Sequence, residues 1–193
     1  MTPDVGALLR EATSGSRPVL VALVGSNGAG KSTYFGQFLE PTGIEFLNAD
    51  VVARMLNPAH PEAAAYDAMR IVESRRLRAV AERRSFCFET VLSDPVGEKV
   101  RFLRQARASG YLVVVIFIWI PSVAYSALRV GQRVRDGGHR VPLVKIRDRF
   151  PRTQANVREA LASADLGLVL DNASRERPFT LMEVWQQGTR IEP

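Results

Sequence analysis

Short apolar runs alternate along the chain with longer stretches in which apolar and charged positions recur at helical spacing. VLVALV at 19–24, IEFLN at 44–48, SFCFE at 85–89, YLVVVIFIWI at 111–120 and LGLVL at 166–170 read as strands, while 31–39, 62–83, 95–108, 122–135 and 143–163 read as helices. That alternation predicts an α/β chain: a central, mostly parallel sheet with helices on both faces, three layers in all. The run at 111–120 is the most apolar and is expected at the sheet centre, and the tail FTLMEVWQQGTRIE is expected to form a hairpin or edge element. In such sheets ligands bind beyond the carboxyl ends of the strands, so the residues that follow each apolar run carry the functional information.

Directly after the first run comes GSNGAGKST, Gly25 to Thr33. Gly25, four residues, then Gly30-Lys31-Ser32 is the spacing of a phosphate-binding P-loop, set between a strand and a helix as that motif requires, which makes the expected fold that of the P-loop NTPases. Its backbone N–H groups would face phosphate along Gly25, Ser26, Asn27, Gly28, Ala29, Gly30, Lys31, Ser32 and Thr33. Lys31 would neutralise the β- and γ-phosphates and the Ser32 hydroxyl would ligand Mg²⁺. The loop identifies a nucleotide site and leaves the reaction open.

The other strand ends narrow the choice. Asp50 follows the second strand and has two readings: a helix N-cap, or a general base for a substrate hydroxyl that attacks the γ-phosphate. Glu89 and Thr90 end the third strand, before a helix start signalled by Ser93-Asp94-Pro95; they read as substrate-positioning groups, as part of the Mg²⁺ shell through water, or as capping residues. The fourth strand ends at Ile120-Pro121 without a carboxylate, so the acidic metal ligand of motor and transporter P-loop proteins is missing there.

Composition fits one globular domain over 1–193, with 46% hydrophobic and 24% charged residues. Within it, 1–17 is expected to be helical or frayed, 129–150 to form a lid and 175–193 an edge element. The longest apolar run falls below the roughly 20 residues of a membrane span, and no export segment is recognisable, so a cytoplasmic location without membrane contact is expected. The single Cys87 lies in an apolar run and reads as a buried small hydrophobe. A net charge of +6 would suit nucleic acid, yet only three of the 26 basic residues are lysines and many arginines fall on what reads as a solvated helix face, which argues against that partner. Arginines do concentrate between 129 and 149, with Arg129 and Arg133 on one helical face and Arg140 beyond the Gly137-Gly138 break. That segment reads either as a closing lid that stabilises charge on a transferring phosphoryl group or as a solvated basic helix.

Taken together, GSNGAGKST, NAD at 48–50, FETVLS at 88–93, RVGQRVRDGGHRVP at 129–142, IRDRFPRTQAN at 146–156 and LDNAS at 170–174 resemble, in order, the zeta-toxin family of P-loop kinases, including its compact bacterial members known as predicted ABC-type ATPases. The resemblance implies transfer of the γ-phosphate of ATP or GTP, with Mg²⁺, to a small-molecule hydroxyl, for which UDP-N-acetylglucosamine is the family's acceptor, and it implies an antitoxin protein as a possible partner. By position it makes Asp50 the catalytic base, Lys31 and Ser32 the phosphate and Mg²⁺ residues, Glu89 and Thr90 the substrate-side edge with Glu89 near the metal, Arg129 and Arg140 the paired lid arginines, and Arg133 a nucleotide contact. The alternatives are a kinase for a nucleoside, sugar or antibiotic, and a nucleotide-dependent regulatory or RNA-binding module.

Overall fold

The computed structural model describes residues 15–138 and 141–191. Its elements run β1 (Val19–Val24), α1 (Lys31–Tyr34), β2 (Glu45–Leu47), α2 (Ala49–Leu56), α3 (Ala65–Ala81), β3 (Phe86–Thr90), α4 (Glu98–Ala108), β4 (Leu112–Trp119), α5 (Val123–Arg135), α6 (Leu143–Ala162), β5 (Leu166–Asp171), β6 (Thr180–Gln186) and β7 (Thr189–Ile191). The sheet order is β2-β3-β1-β4-β5-β6-β7. The first five strands in that order are parallel, and the β6–β7 hairpin adds two antiparallel strands at one edge. β4 lies in the middle, as its composition requires.

The parallel strands are continuous apolar runs because both of their faces are covered. Successive side chains alternate between two cores. Leu20, Ala22, Val24, Val113, Val115 and Phe117 pack on one face with Ala79 of α3, Leu103 of α4 and Leu161 of α6. Val21, Leu23, Val114, Ile116 and Ile118 pack on the other with Tyr34 of α1 and with Phe35 and Leu39 just beyond it. Cys87 is fully buried in this second core, where the apolar surroundings push its thiol well above the usual range. α2 and α3 close a small third cluster of Val52, Ala53, Ala64 and Ala68 beyond the sheet edge.

Several boundaries differ from the sequence expectation for local reasons. The helix expected from residue 95 begins at Glu98: Gly97 takes the N-cap position with φ 66°, and the Asp94 carboxylate accepts from Glu98 N at 2.6 Å, so Ser93-Asp94-Pro95 is a turn that leads into the helix. The helix expected over 62–83 is a 3₁₀ turn, Pro61–Ala64, followed by α3. After α1 the chain continues through a π-helical turn, Phe35–Leu39.

At the amino ends of the strands, far from the P-loop, Asp165 joins three elements. Its Oδ2 accepts from Val113 N at 2.9 Å and its Oδ1 from Arg107 Nε at 3.2 Å, with Arg17 at 3.5 Å. Only 7% of Asp165 is exposed. Asp165→Ala leaves a buried backbone N–H and a guanidinium without their acceptor, and a stability loss of about 2 to 3 kcal/mol in urea denaturation is expected.

Candidate active site

The loop between β1 and α1 is clamped from both sides. Ser126 of α5 donates from Oγ to Asn27 O at 2.6 Å, and Asn172, just past β5, donates from Nδ2 to Ala29 O at 2.8 Å. The curl itself depends on two glycines in the left-handed region, Gly28 at φ 74° and Gly30 at φ 98°. A Cβ on Gly28 would lie 3.0 Å from the Arg129 Cβ, and one on Gly30 would lie 2.5 Å from Asn172 Nδ2, so neither site has room for a side chain. Within the loop, Ser26 Oγ and Asn27 Oδ1 are buried polar atoms that no protein group satisfies among the described residues. Of the two, the Ser26 hydroxyl can donate to a bound phosphate group, whereas the Asn27 oxygen can only accept.

Lys31 is 5% exposed. Its ammonium donates to Gly25 O at 2.7 Å and Ser26 O at 3.2 Å, and lies 3.5 Å from Glu89 Oε1. Burial holds its pKa below the ordinary lysine value; Glu89 and Asp50 oppose that shift and Arg133 adds to it.

Glu89 is the point at which the strand ends meet. Its Oε2 accepts from Ser32 Oγ at 3.0 Å and from Asn48 Nδ2 at 2.7 Å, while its Oε1 faces Lys31. The register explains why: β3 lies directly beside β1, with Glu89 opposite Leu23 and Thr90 opposite Val24. The carboxylate missing from β4 is thus supplied from the other neighbour of β1. Ser32 and Glu89 offer hard oxygen donors suited to Mg²⁺, an ion that needs only one or two protein ligands beside phosphate and water. No cluster of three or more His, Cys, Asp or Glu able to hold a metal occurs among the described residues.

Asp50 does not cap its helix. The cap of α2 is Asn48, whose Oδ1 accepts from Asp50 N at 2.8 Å and Val51 N at 3.2 Å. Asp50 is the second residue of α2, exposed, and its carboxylate makes no capping bond. The capping alternative for Asp50 is therefore wrong, because a residue two positions earlier holds the extended backbone that a cap requires. Thr90 uses its hydroxyl locally: Oγ1 accepts from Leu92 N at 2.9 Å and supports the left-handed Leu92 at φ 56°. α6 fixes this turn, since Thr153 Oγ1 donates to Val91 O and Asn156 Nδ2 to Leu92 O and Asp94 O.

Of the arginines, Arg129 donates to Tyr125 Oη at 3.0 Å and lies over that ring at 4.9 Å, behind the P-loop at Gly28. Arg133, one turn further along α5, is the one whose charge Lys31 feels. Arg140 and His139 lie outside the described residues. Asn48, Ser126 and Asn172 carry roles that residue type and spacing did not assign. Asn48 and Asn172 stand directly after strands, where they could have been found; the only trace of Ser126 is a polar residue on the apolar face of a helix.

Residues 20–166 match the model of the AAA_33 family, described as AAA domain. The chain belongs to this family. An uncharacterized protein of Haemophilus influenzae is 30% identical over 115 residues, which are 60% of this chain and 80% of that protein. Among solved structures, the AvrRxo1-ORF1:AvrRxo1-ORF2 complex with sulphate ions is similar with a TM-score of 0.72 at 16% identity, over 96% of this chain and 65% of that one. The same pair has been solved with ATP, again at a TM-score of 0.72, with 18% identity over 96% of this chain and 64% of that one. The PezAT chromosomal toxin-antitoxin system of Streptococcus pneumoniae gives 0.62 at 17% identity, over 92% of this chain and 78% of that chain. The chain thus spans slightly less than two thirds of the AvrRxo1 chain. These likenesses confirm the P-loop NTPase-like fold, a mostly parallel sheet with helices around it. No described helix is long and apolar enough to cross a membrane.

If Asn172 sets the shape of the loop, Asn172→Ala should cost about 1 to 2 kcal/mol of stability through the orphaned Ala29 carbonyl. The expected loss in ATP affinity is about fivefold, a change of about 1 kcal/mol that isothermal titration calorimetry resolves.

Proposed function

We propose that the protein is a phosphotransferase of zeta-toxin type that moves the γ-phosphate of ATP or GTP to the hydroxyl of a small molecule. The observation that carries this reading is the hydrogen-bonded joining of Lys31, Ser32 and Glu89 through Asn48 to the first turn of α2, where the exposed carboxylate of Asp50 lies. A carboxylate free of capping duty, close to the phosphate lysine, is suited to act as a general base. The resemblance in motifs and the fold shared with AvrRxo1, solved with ATP, and with the PezAT system support the same reading.

In this mechanism the P-loop N–H groups and Lys31 hold the β- and γ-phosphates, and the lysine's charge offsets theirs. Mg²⁺, held by Ser32 and Glu89, would supply further neutralisation of the phosphate oxygens. Asp50 accepts the proton of the acceptor hydroxyl as that oxygen attacks phosphorus and the bond to the bridging oxygen breaks. Arg133, with Arg129 and Arg140 of the same lid segment, stabilises charge that builds on the transferred group, and closure of the segment excludes water. Thr90 borders the acceptor side. UDP-N-acetylglucosamine is the first acceptor to test because it is that of the resembled family. A cytoplasmic setting and an antitoxin-like protein partner belong to the same reading.

Incubation with Mg²⁺-ATP or Mg²⁺-GTP against UDP-N-acetylglucosamine, nucleosides, sugars and aminoglycosides should yield one product heavier by a phosphoryl group in mass spectrometry. Nucleotide hydrolysis with no phosphorylated product in any of them would instead favour a regulatory module. Asp50→Asn should lower transfer by about 10²- to 10⁴-fold with ATP affinity nearly intact, whereas Lys31→Ala should weaken both. A fully active Asp50→Asn protein would remove Asp50 from the mechanism.

A further inference from the structure

The Asn48 side chain joins the start of α2 to the end of β3. Its Oδ1 accepts from the first-turn N–H groups of Asp50 and Val51, and its Nδ2 donates to Glu89 Oε2 at 2.7 Å, the oxygen that also accepts from Ser32. It is 5% exposed, and its three bonds are partly sheltered from water. The chemistry fixes which way round the amide lies: backbone N–H groups need an acceptor and a carboxylate needs a donor.

We infer that Asn48 is a positioning residue that sets where Asp50 sits relative to the phosphate end of the site. The inference rests on the function proposed above. Asp50 lies two residues beyond Asn48 on a helix of only two turns, so the first turn of α2 goes where Asn48 holds it. Glu89, at the other end of the amide, is bonded to Ser32 and faces Lys31. One planar group of fixed length therefore links the base to the residues that meet phosphate and metal. Serine or aspartate would cap the helix equally well, but neither has a nitrogen donor that reaches Glu89, and aspartate would place a second negative charge against it. Only asparagine combines good capping with a donor on the opposite side of the same short side chain.

The roles of cap and positioning residue separate in N48S and N48D, with N48A as the variant that loses both. N48S should unfold within about 4 °C of the wild type, because its side chain still caps α2, whereas N48A, which loses the cap, and N48D, which adds a negative charge beside Glu89, should unfold earlier. With the acceptor that the wild type uses, N48S should lose about 10- to 100-fold in kcat while its KM for ATP stays within about threefold. N48D should lose at least as much. In calorimetric titration, the gain in ATP affinity on replacing EDTA with Mg²⁺ should shrink by about tenfold in N48S, with metal-free affinity unchanged. An N48S protein with wild-type kcat and the full Mg²⁺-dependent gain would reduce Asn48 to a helix cap and overturn the inference alone. A wild-type protein that binds neither ATP nor GTP would overturn the proposed function, and this role with it.

Discussion

The site depends on a buried lysine that could not remain charged without compensation. Lys31 lies almost wholly out of water, where an ammonium is strongly penalised, and it keeps company with two loop carbonyls and the Glu89 carboxylate. Glu89 in turn needs donors, and it finds them in Ser32 and Asn48. Satisfaction of one charge thus draws the P-loop, the end of β3 and the start of α2 into a single hydrogen-bonded network. In such a network the placement of each group depends on its partners, which makes its geometry specific.

The rest of the fold supplies the rigid frame for that network. Because β1 lies between β3 and β4, the P-loop emerges with Glu89 on one side and Ile118 on the other, and Gly25 is required where a Cβ would lie 2.8 Å from the Ile118 carbonyl. α5 and the turn after β5 fasten the back of the loop through Ser126 and Asn172. α6 fastens the turn after β3 through Thr153 and Asn156.

Several arginines take part in ion pairs within the fold. Arg84 pairs with Glu82 and Glu45, Arg104 with Glu159, Arg107 with Asp165, and Arg76 with Glu73 while it also lies over the Phe102 ring at 4.4 Å. Arg107 and Arg17 converge on Asp165, and Arg104 lies close by on Ser163. These arginines thus serve the fold, several of them by joining one element to another.

Apolar periodicity determined the alternation of strands and helices and the central place of β4, and the spacing of Gly25, Gly30, Lys31 and Ser32 identified the phosphate loop, because these follow from local pattern and from a motif whose residues are contiguous. It also brought Asp50 and Glu89 to the ligand side, since any residue that follows a parallel strand faces the same crevice. The tertiary structure decided the relations between them. That Glu89 binds Ser32 and Asn48, and that Ser126 and Asn172 hold the loop, are contacts between residues at least 41 positions apart, set by strand order and helix packing. Local spacing carries no record of which strand ends become neighbours, and it is those neighbours that turn a phosphate-binding loop into a candidate site for chemistry.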